Sequence, residues 1–305
     1  MTSTDTQIST FNARHHLEHL AIIEITGQDA SRFLQGQLTC NVNEIDSSKA
    51  SFAAFCNPKG RVISVLLLVK TNDGFRLILP RSLLEVVLKK LRMYILRAKV
   101  QINELSQSLQ LLGLCCPQPL PEWCLPEQVM QVIATNTQTW IRLPSGQPRF
   151  IGILPKDEAF NLALQNFHNA DESDWRYQDI SSGIPWFDIE QSEQYIPQML
   201  NLDQLGAISF NKGCYTGQEI VARTHYLGKA KRKLYLAECA CSPLDEHTGS
   251  IYDASTQNKI GDILSWASNH ATSRLLIVMH DVDAEGKTLI LDNARKTAAM
   301  LIPFQ

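Results

Sequence analysis

Beyond residue 233 the chain has no helical periodicity. Six short apolar runs, at 234–239, 250–253, 259–266, 274–280, 288–291 and 298–303, are separated by turn residues at near-even spacing. Runs of that length and spacing are strands, and six in succession predict a small β-barrel. The chain before it follows a different pattern, which divides the sequence into regions 1–231 and 232–305, the first long enough for two subdomains.

In that first region strands and helices mix. Residues 1–16 are polar and expected to fray, with His15, His16 and His19 read as surface residues. A buried strand at 21–25 ends at Gly27. Asp29 is placed to cap a helix that puts Ala30, Phe33, Leu34 and Leu38 on one face. Gly36 inside that helix weakens it by roughly 1 kcal/mol relative to alanine, so the glycine is expected to serve a contact. A strand at 52–56 leads into the turn 57–61, which carries Lys59 and Arg61 and reads first as a solvated hairpin tip. Strands at 61–70 and 75–79 flank Asn72-Asp73-Gly74, a hairpin signal. Ser82 and Glu85 form a capping box for a helix over 83–96, with Leu84, Val87, Leu88, Leu91 and Ile95 at helical spacing. Further strands are expected at 100–102, 110–115, 140–143 and 149–154, and helices at 157–167 and 173–181. The element order is that of a mixed antiparallel α+β arrangement, not a βαβ repeat. Residues 186–211 lack periodicity but are rich in apolar side chains, which marks an ordered, irregular stretch.

That stretch leads into Lys212-Gly213-Cys214-Tyr215-Thr216-Gly217-Gln218-Glu219. Two glycines four apart predict tight backbone with positive φ or close ligand approach. A helix starting after Tyr215 would add its positive end, and Lys212 would make the Cys214 thiol more acidic. The alternative is an ordinary loop around a buried, inert cysteine. The run Arg223, Lys229, Lys231, Arg232 and Lys233 follows directly, either as a solvated linker or as a patch for polyglutamate, phosphate or RNA.

Other chemistries are missing from the sequence. The net charge of −3 gives no overall field for nucleic acid. The eight cysteines include no Cys-x-x-Cys and no zinc-ribbon spacing, so no metal site is assigned, and without an export signal they read as reduced thiols in the cytoplasm. No apolar run is long enough for a membrane span. Gly-x-Gly-x-x-Gly, His-Glu-x-x-His and Gly-x-Ser-x-Gly are all absent.

The block from Lys212 through Glu219, continued by Ile220-Val221-Ala222-Arg223, resembles the signature of the YgfZ family, which is related to the folate-binding T-protein of the glycine cleavage system. Tyr195-Ile196-Pro197-Gln198, Asn201-Leu202, Ile25-Thr26-Gly27, the segment from Phe33 to Thr39, and Lys59-Gly60-Arg61 are similar to further blocks of that family. The resemblance implies a T-protein-like folate-binding fold of mixed antiparallel sheets with helices, plus a small C-terminal β-barrel. It implies tetrahydrofolate or a derivative as cofactor. It also implies a role in tRNA modification through iron–sulfur enzymes such as tRNA methylthiotransferases, with tRNA contact as a further expectation. It makes Cys214 the functional thiol, with Lys212 and Arg223 beside it. Trp175 then matches the family's folate-contacting aromatic, and Leu20 stands where a second aromatic is expected. Tyr215, Gln218 and Glu219 complete the ligand contacts. Two departures from the T-protein bear on catalysis. The stretch after Gly60 reads Arg61-Val62-Ile63-Ser64-Val65, without the aspartate pair, and Ser181-Ser182-Gly183 replaces Glu-Ala-Gly. Group transfer by the T-protein route thus loses its acid, and a folate-dependent transferase or an RNA-binding protein remain the competing readings.

Overall fold

Val62 to Val69 is buried at every position. A strand with no exposed face needs cover on both sides, and the rest of the N-terminal half supplies it. The computed structural model describes residues 12–118, 123–156, 167–228, 230–240, 249–269, 272–284, 288–291 and 297–305. The helix expected over 157–167 lies outside the described residues apart from Phe167, as do Lys229 and Cys241.

Two sheets and a barrel organise the chain. The first sheet contains β1 (Ala13–His16), β7 (Leu109–Cys115), β8 (Val132–Ala134), β9 (Thr139–Arg142), β10 (Arg149–Pro155) and β11 (His168–Asn169) in the order β11-β1-β7-β10-β9-β8. The second contains β2 (Leu20–Thr26), β3 (Ser51–Cys56), β4 (Val62–Lys70), β5 (Gly74–Pro80) and β6 (Gln101–Glu104) in the order β3-β4-β5-β2-β6. All pairings are antiparallel except β1 with β11. The barrel is closed by β12 (Arg232–Cys239), β15 (Ser273–His280), β14 (Lys259–Ser268), β13 (Ser250–Asp253), β16 (Leu289–Ile290) and β17 (Ala298–Ile302). Closure leaves no strand edge unpaired. This is the T-protein-like α+β fold with its C-terminal barrel.

The barrel strands are apolar on both faces. Ala237, Cys239, Leu275, Ile277 and Met279 fill the interior. Leu234, Leu236, Leu276 and Val278 belong instead to the core shared with the two sheets. The period-2 alternation of a strand sends neighbouring residues into different cores, so the barrel is seated on the sheets by its own outer surface.

Several local expectations are corrected. Ala13 to His16 does not fray, because it pairs on both sides, with β11 and β7. His15 is consequently buried, its Nδ1 2.8 Å from the Asp171 carbonyl. His19 Nδ1 lies 2.6 Å from the Glu172 carboxylate. Neither is a surface histidine. Helix α1 (Ala30–Gln35) ends before Gly36, and the Asp29 carboxylate accepts from the Lys99 amide instead of capping it. Helix α2 (Leu84–Tyr94) has no side-chain cap, since the Ser82 hydroxyl donates to Asp188. Helix α3 (Glu172–Ser181) is capped by Asp171, whose carboxylate accepts from the Ser173 amide.

Helix α3 joins the first sheet to the barrel. It packs on β14 and β15 of the barrel and on β1. Its Asp179 pairs with Arg149 of β10, both almost fully buried. The Arg149 guanidinium sits 4.1 Å over the Trp175 ring. A buried pair adds little to stability by itself, but removing one partner leaves an uncompensated charge. Asp179→Ala is therefore expected to cost about 3–5 kcal/mol, read as a lowered urea midpoint. The apolar double variant Arg149→Met, Asp179→Leu should stay much closer to the parent. An unmoved midpoint for Asp179→Ala would show that the arginine is already satisfied by water.

Candidate functional site

Blocks far apart along the chain, around Gly36, Gly60, Gln198 and Gly217, meet around the start of helix α4 (Gln218–Leu227), whereas Ile25-Thr26-Gly27 lies against Asp73 and Lys99. Gly217 precedes that helix at φ +83°, and Gly60 in the β3–β4 turn has φ +67°. The two face each other. A Cβ on Gly217 would lie 2.6 Å from the Asn57 carbonyl oxygen and 2.8 Å from Gly60 Cα. A Cβ on Gly60 would lie 2.9 Å from Ile220 Cβ. Only glycine allows both the φ values and the approach. The turn at 57–61 is thus a docked element, not a solvated tip. Gly213 differs: its φ is not positive and no atom comes within 4 Å of its would-be Cβ. Gly217 thus has the positive φ expected of it, whereas Gly213 does not and faces open space.

The strip from Gly36 to Cys40 supplies the other wall. The Thr216 amide donates to the Gly36 carbonyl, and the Ser209 amide to the Thr39 carbonyl. The Thr39 hydroxyl donates to Ala207 and accepts from the Ala54 amide. Gln198 reaches the Val221 carbonyl at 2.7 Å, and the Asn201 amide group donates to the Leu234 carbonyl at the barrel's first strand.

Lys212 turns inward. Its ammonium donates to the Leu38 and Cys40 carbonyls, both at 2.7 Å, and lies 5.1 Å over the Tyr215 ring. Burial draws its pKa down to about 8, and the thiol it faces is Cys40, itself pushed up to about 11 by burial. The expected partnership with Cys214 is corrected accordingly: Lys212 staples the loop to the strip below it. Tyr215 is buried, with its hydroxyl pKa raised by burial and by nearby Cys56. Cys214 is exposed, so the buried-cysteine alternative does not describe it. Glu219 and Arg223 are also exposed, and Gln218 is half-buried.

The aromatic and aliphatic candidates lie elsewhere. Trp175 is fully buried. One face of its ring rests against Gly113, where a Cβ would come within 2.4 Å, and Arg149 covers the ring at 4.1 Å. No free face remains for stacking. Leu20 is a core residue of β2. A cleft of about 1150 Å³ opens instead between the outer side of α3, the segment 188–191 and β14. Asp171, Asp174, Asp188 and Glu190 line it together with Arg176 and Trp266. The carboxylates of Asp174 and Glu190 have no hydrogen-bond partner among the described residues. Neither Cys214 nor Trp175 lines this cleft, so thiol loop and cleft are separate features. Sequence reading missed these acids because they sit on unremarkable polar positions. The one available signal was that Asp174 and Arg176 flank Trp175 on a helix, which turns them away from the core when the tryptophan is buried.

The basic run is split. Arg232 pairs with Asp262, and Lys233 with Asp281 at 3.0 Å. Arg223 and Lys231 are exposed, without a carboxylate partner among the described residues. No three metal-ligating side chains come together among the described residues, and no helix among them is long and apolar enough to cross a membrane.

The chain is 35% identical over 263 residues to the tRNA-modifying protein YgfZ of Colwellia psychrerythraea, covering 82% of this chain and 79% of that protein. The chain belongs to the YgfZ family. Residues 13–120 match the GCVT N-terminal domain. The aminomethyltransferase T of the glycine cleavage system from Bartonella henselae has the same fold, with a TM-score of 0.77 at 16% identity over 96% of this chain and 85% of that one. The convergence of the blocks around Gly36, Gly60, Gln198 and Gly217 on the α4 start therefore reflects shared architecture as well as shared sequence.

The inward lysine has a pH signature. Between its native value near 8 and the ordinary 10.5, the unfolded chain holds a proton that the native state does not. Stability relative to a Lys212→Met variant should rise with pH across that window, and below it the full cost of burying the charge remains. Urea unfolding at about pH 7.5 and about pH 10 measures this. Parallel pH profiles for the two proteins would show that the ammonium is not buried in solution.

Proposed function

We propose that this chain is a folate-binding accessory protein that supports tRNA modification through iron–sulfur enzymes. The cleft beside α3 holds the folate, and exposed Cys214 is the group presented to a client. The observation that carries the ligand part is the cleft's pair of unpartnered carboxylates, Asp174 and Glu190. A reduced pterin offers adjacent N–H donors on its pyrimidine edge, and a free carboxylate is their natural acceptor. Trp266 supplies an aromatic surface, and Arg176 a cation for the glutamate tail. The residues present thus fit the group, and they replace the acid that Ser181 no longer provides. Bound there, a reduced folate would supply one-carbon chemistry. The chain's own residues bind and orient it.

The tRNA part rests on kinship with a protein named as tRNA-modifying, and the iron–sulfur part on the family resemblance. The thiol reading is supported by the loop's construction. Lys212, Tyr215 and Gly217 are all committed to holding it down, while Gly213 and Cys214 project from it. Compartment and clients follow the same reading: a cytoplasmic protein serving enzymes such as tRNA methylthiotransferases. A transferase would draw on the same two carboxylates, and multiple turnover of a methylene-folate by purified protein would favour it.

Isothermal titration with 5-formyltetrahydrofolate tests the ligand. Binding is expected to weaken about tenfold or more in Asp174→Asn and in Trp266→Ala. No heat from the parent protein at saturating ligand removes folate from the proposal. For the thiol, a strain carrying only Cys214→Ala should lose methylthio-modified tRNA. Undiminished modification would leave Cys214 without this role.

A further inference from the structure

A group of rings lies at the exposed end of α4, away from the cleft. Phe210 and His225 stack face to face, with centroids 3.6 Å apart and planes 12° from parallel. Tyr226 stands edge-on to both, 4.8 Å from His225 and 6.3 Å from Phe210. It is 62% exposed. The helix does not need these rings for anchorage, since its one buried residue is Val221.

Charge accompanies the rings. Arg223, three residues before Tyr226, shares the helix surface with it. Lys231 follows just past the helix end. Both are exposed and lack a carboxylate partner among the described residues, whereas the next two cations, Arg232 and Lys233, are taken by Asp262 and Asp281. The one acid of the helix, Glu219, lies in its first turn, at the opposite end.

We propose that this ledge binds unpaired RNA, with a base stacked on the exposed Tyr226 ring and Arg223 and Lys231 on the adjoining phosphates. Any base offers a flat face to an exposed ring, and a pair of unneutralised cations beside the rings suits the backbone that joins successive bases. Rings combined with free cations favour RNA over a protein partner, whose anchor would call for an apolar pocket. The chain's overall negative charge keeps such binding local and modest. The inference does not depend on the cleft holding folate.

The test is fluorescence anisotropy of a labelled, unstructured oligoribonucleotide with the full chain at several salt concentrations. Tyr226→Ala is expected to weaken binding about tenfold. Arg223→Gln and Lys231→Gln should each lower the slope of log affinity against log salt by about 0.7. Arg97→Gln, an exposed cation at the far end of α2, should change neither. Binding that survives Tyr226→Ala, or that falls equally with Arg97→Gln, overturns the proposal. So does an absence of RNA binding at low salt, which would return the ledge to protein contact. Melting temperatures matched to the parent check that the variants fold. Photocrosslinking of a 4-thiouridine oligonucleotide to the unaltered protein gives a second readout. Adducts on the peptide containing His225 and Tyr226 are expected, and adducts found only elsewhere would overturn the assignment.

Discussion

The approach of Gly60 to Gly217 governs how the signature loop is held. At this point two chain segments far apart in sequence come within 3 Å of each other through backbone and would-be Cβ positions. Neither segment reaches that distance with a side chain in the way. Once the two are joined, the β3–β4 turn fixes the start of α4, and the Lys212 ammonium and Thr216 amide fix the strand of loop between them. These separate sequence blocks are thus one spatial unit.

A second constraint lies beneath α3. Trp175 fills the space against Gly113, and Arg149 closes over it while paired with Asp179. On the barrel side, Arg274 donates to the Ser181 hydroxyl and pairs with Glu238 at 3.1 Å. The helix is therefore tied to the first sheet by one buried arginine and to the barrel by another. Its remaining face is left free to line the cleft. Ser181 is part of this structural tie.

Much of this was legible in the sequence. All six barrel strands follow from their spacing, and β4 and β5 from the Asn72-Asp73-Gly74 hairpin signal between them. What failed was local. The polar strand Ala13 to His16 gives no apolar signal, because its stability comes from neighbours on both sides. Ser82 and Asp29 look like caps, but tertiary partners, Asp188 and the Lys99 amide, compete successfully for their side chains. In the site, the glycine spacing anticipated the positive φ of Gly217 but not the ordinary φ of Gly213, since spacing alone does not say which side of a loop faces the protein. The cleft was not legible at all. Its carboxylates come from two segments and its tryptophan from a third, and no linear motif unites them.

The signature itself separates into two sets of residues with opposite orientations. Lys212, Tyr215 and Gly217 face the protein, where a lysine charge is exchanged for two carbonyl contacts and a tyrosine for burial. Gly213, Cys214 and Glu219 face out. A lysine adjacent to a cysteine in sequence suggests a tuned thiol, but in an irregular loop the two side chains leave on opposite sides. The Lys212 ammonium is taken up by the Leu38 and Cys40 carbonyls, and Cys214 is left on the exposed side of the loop, beside the open space over Gly213.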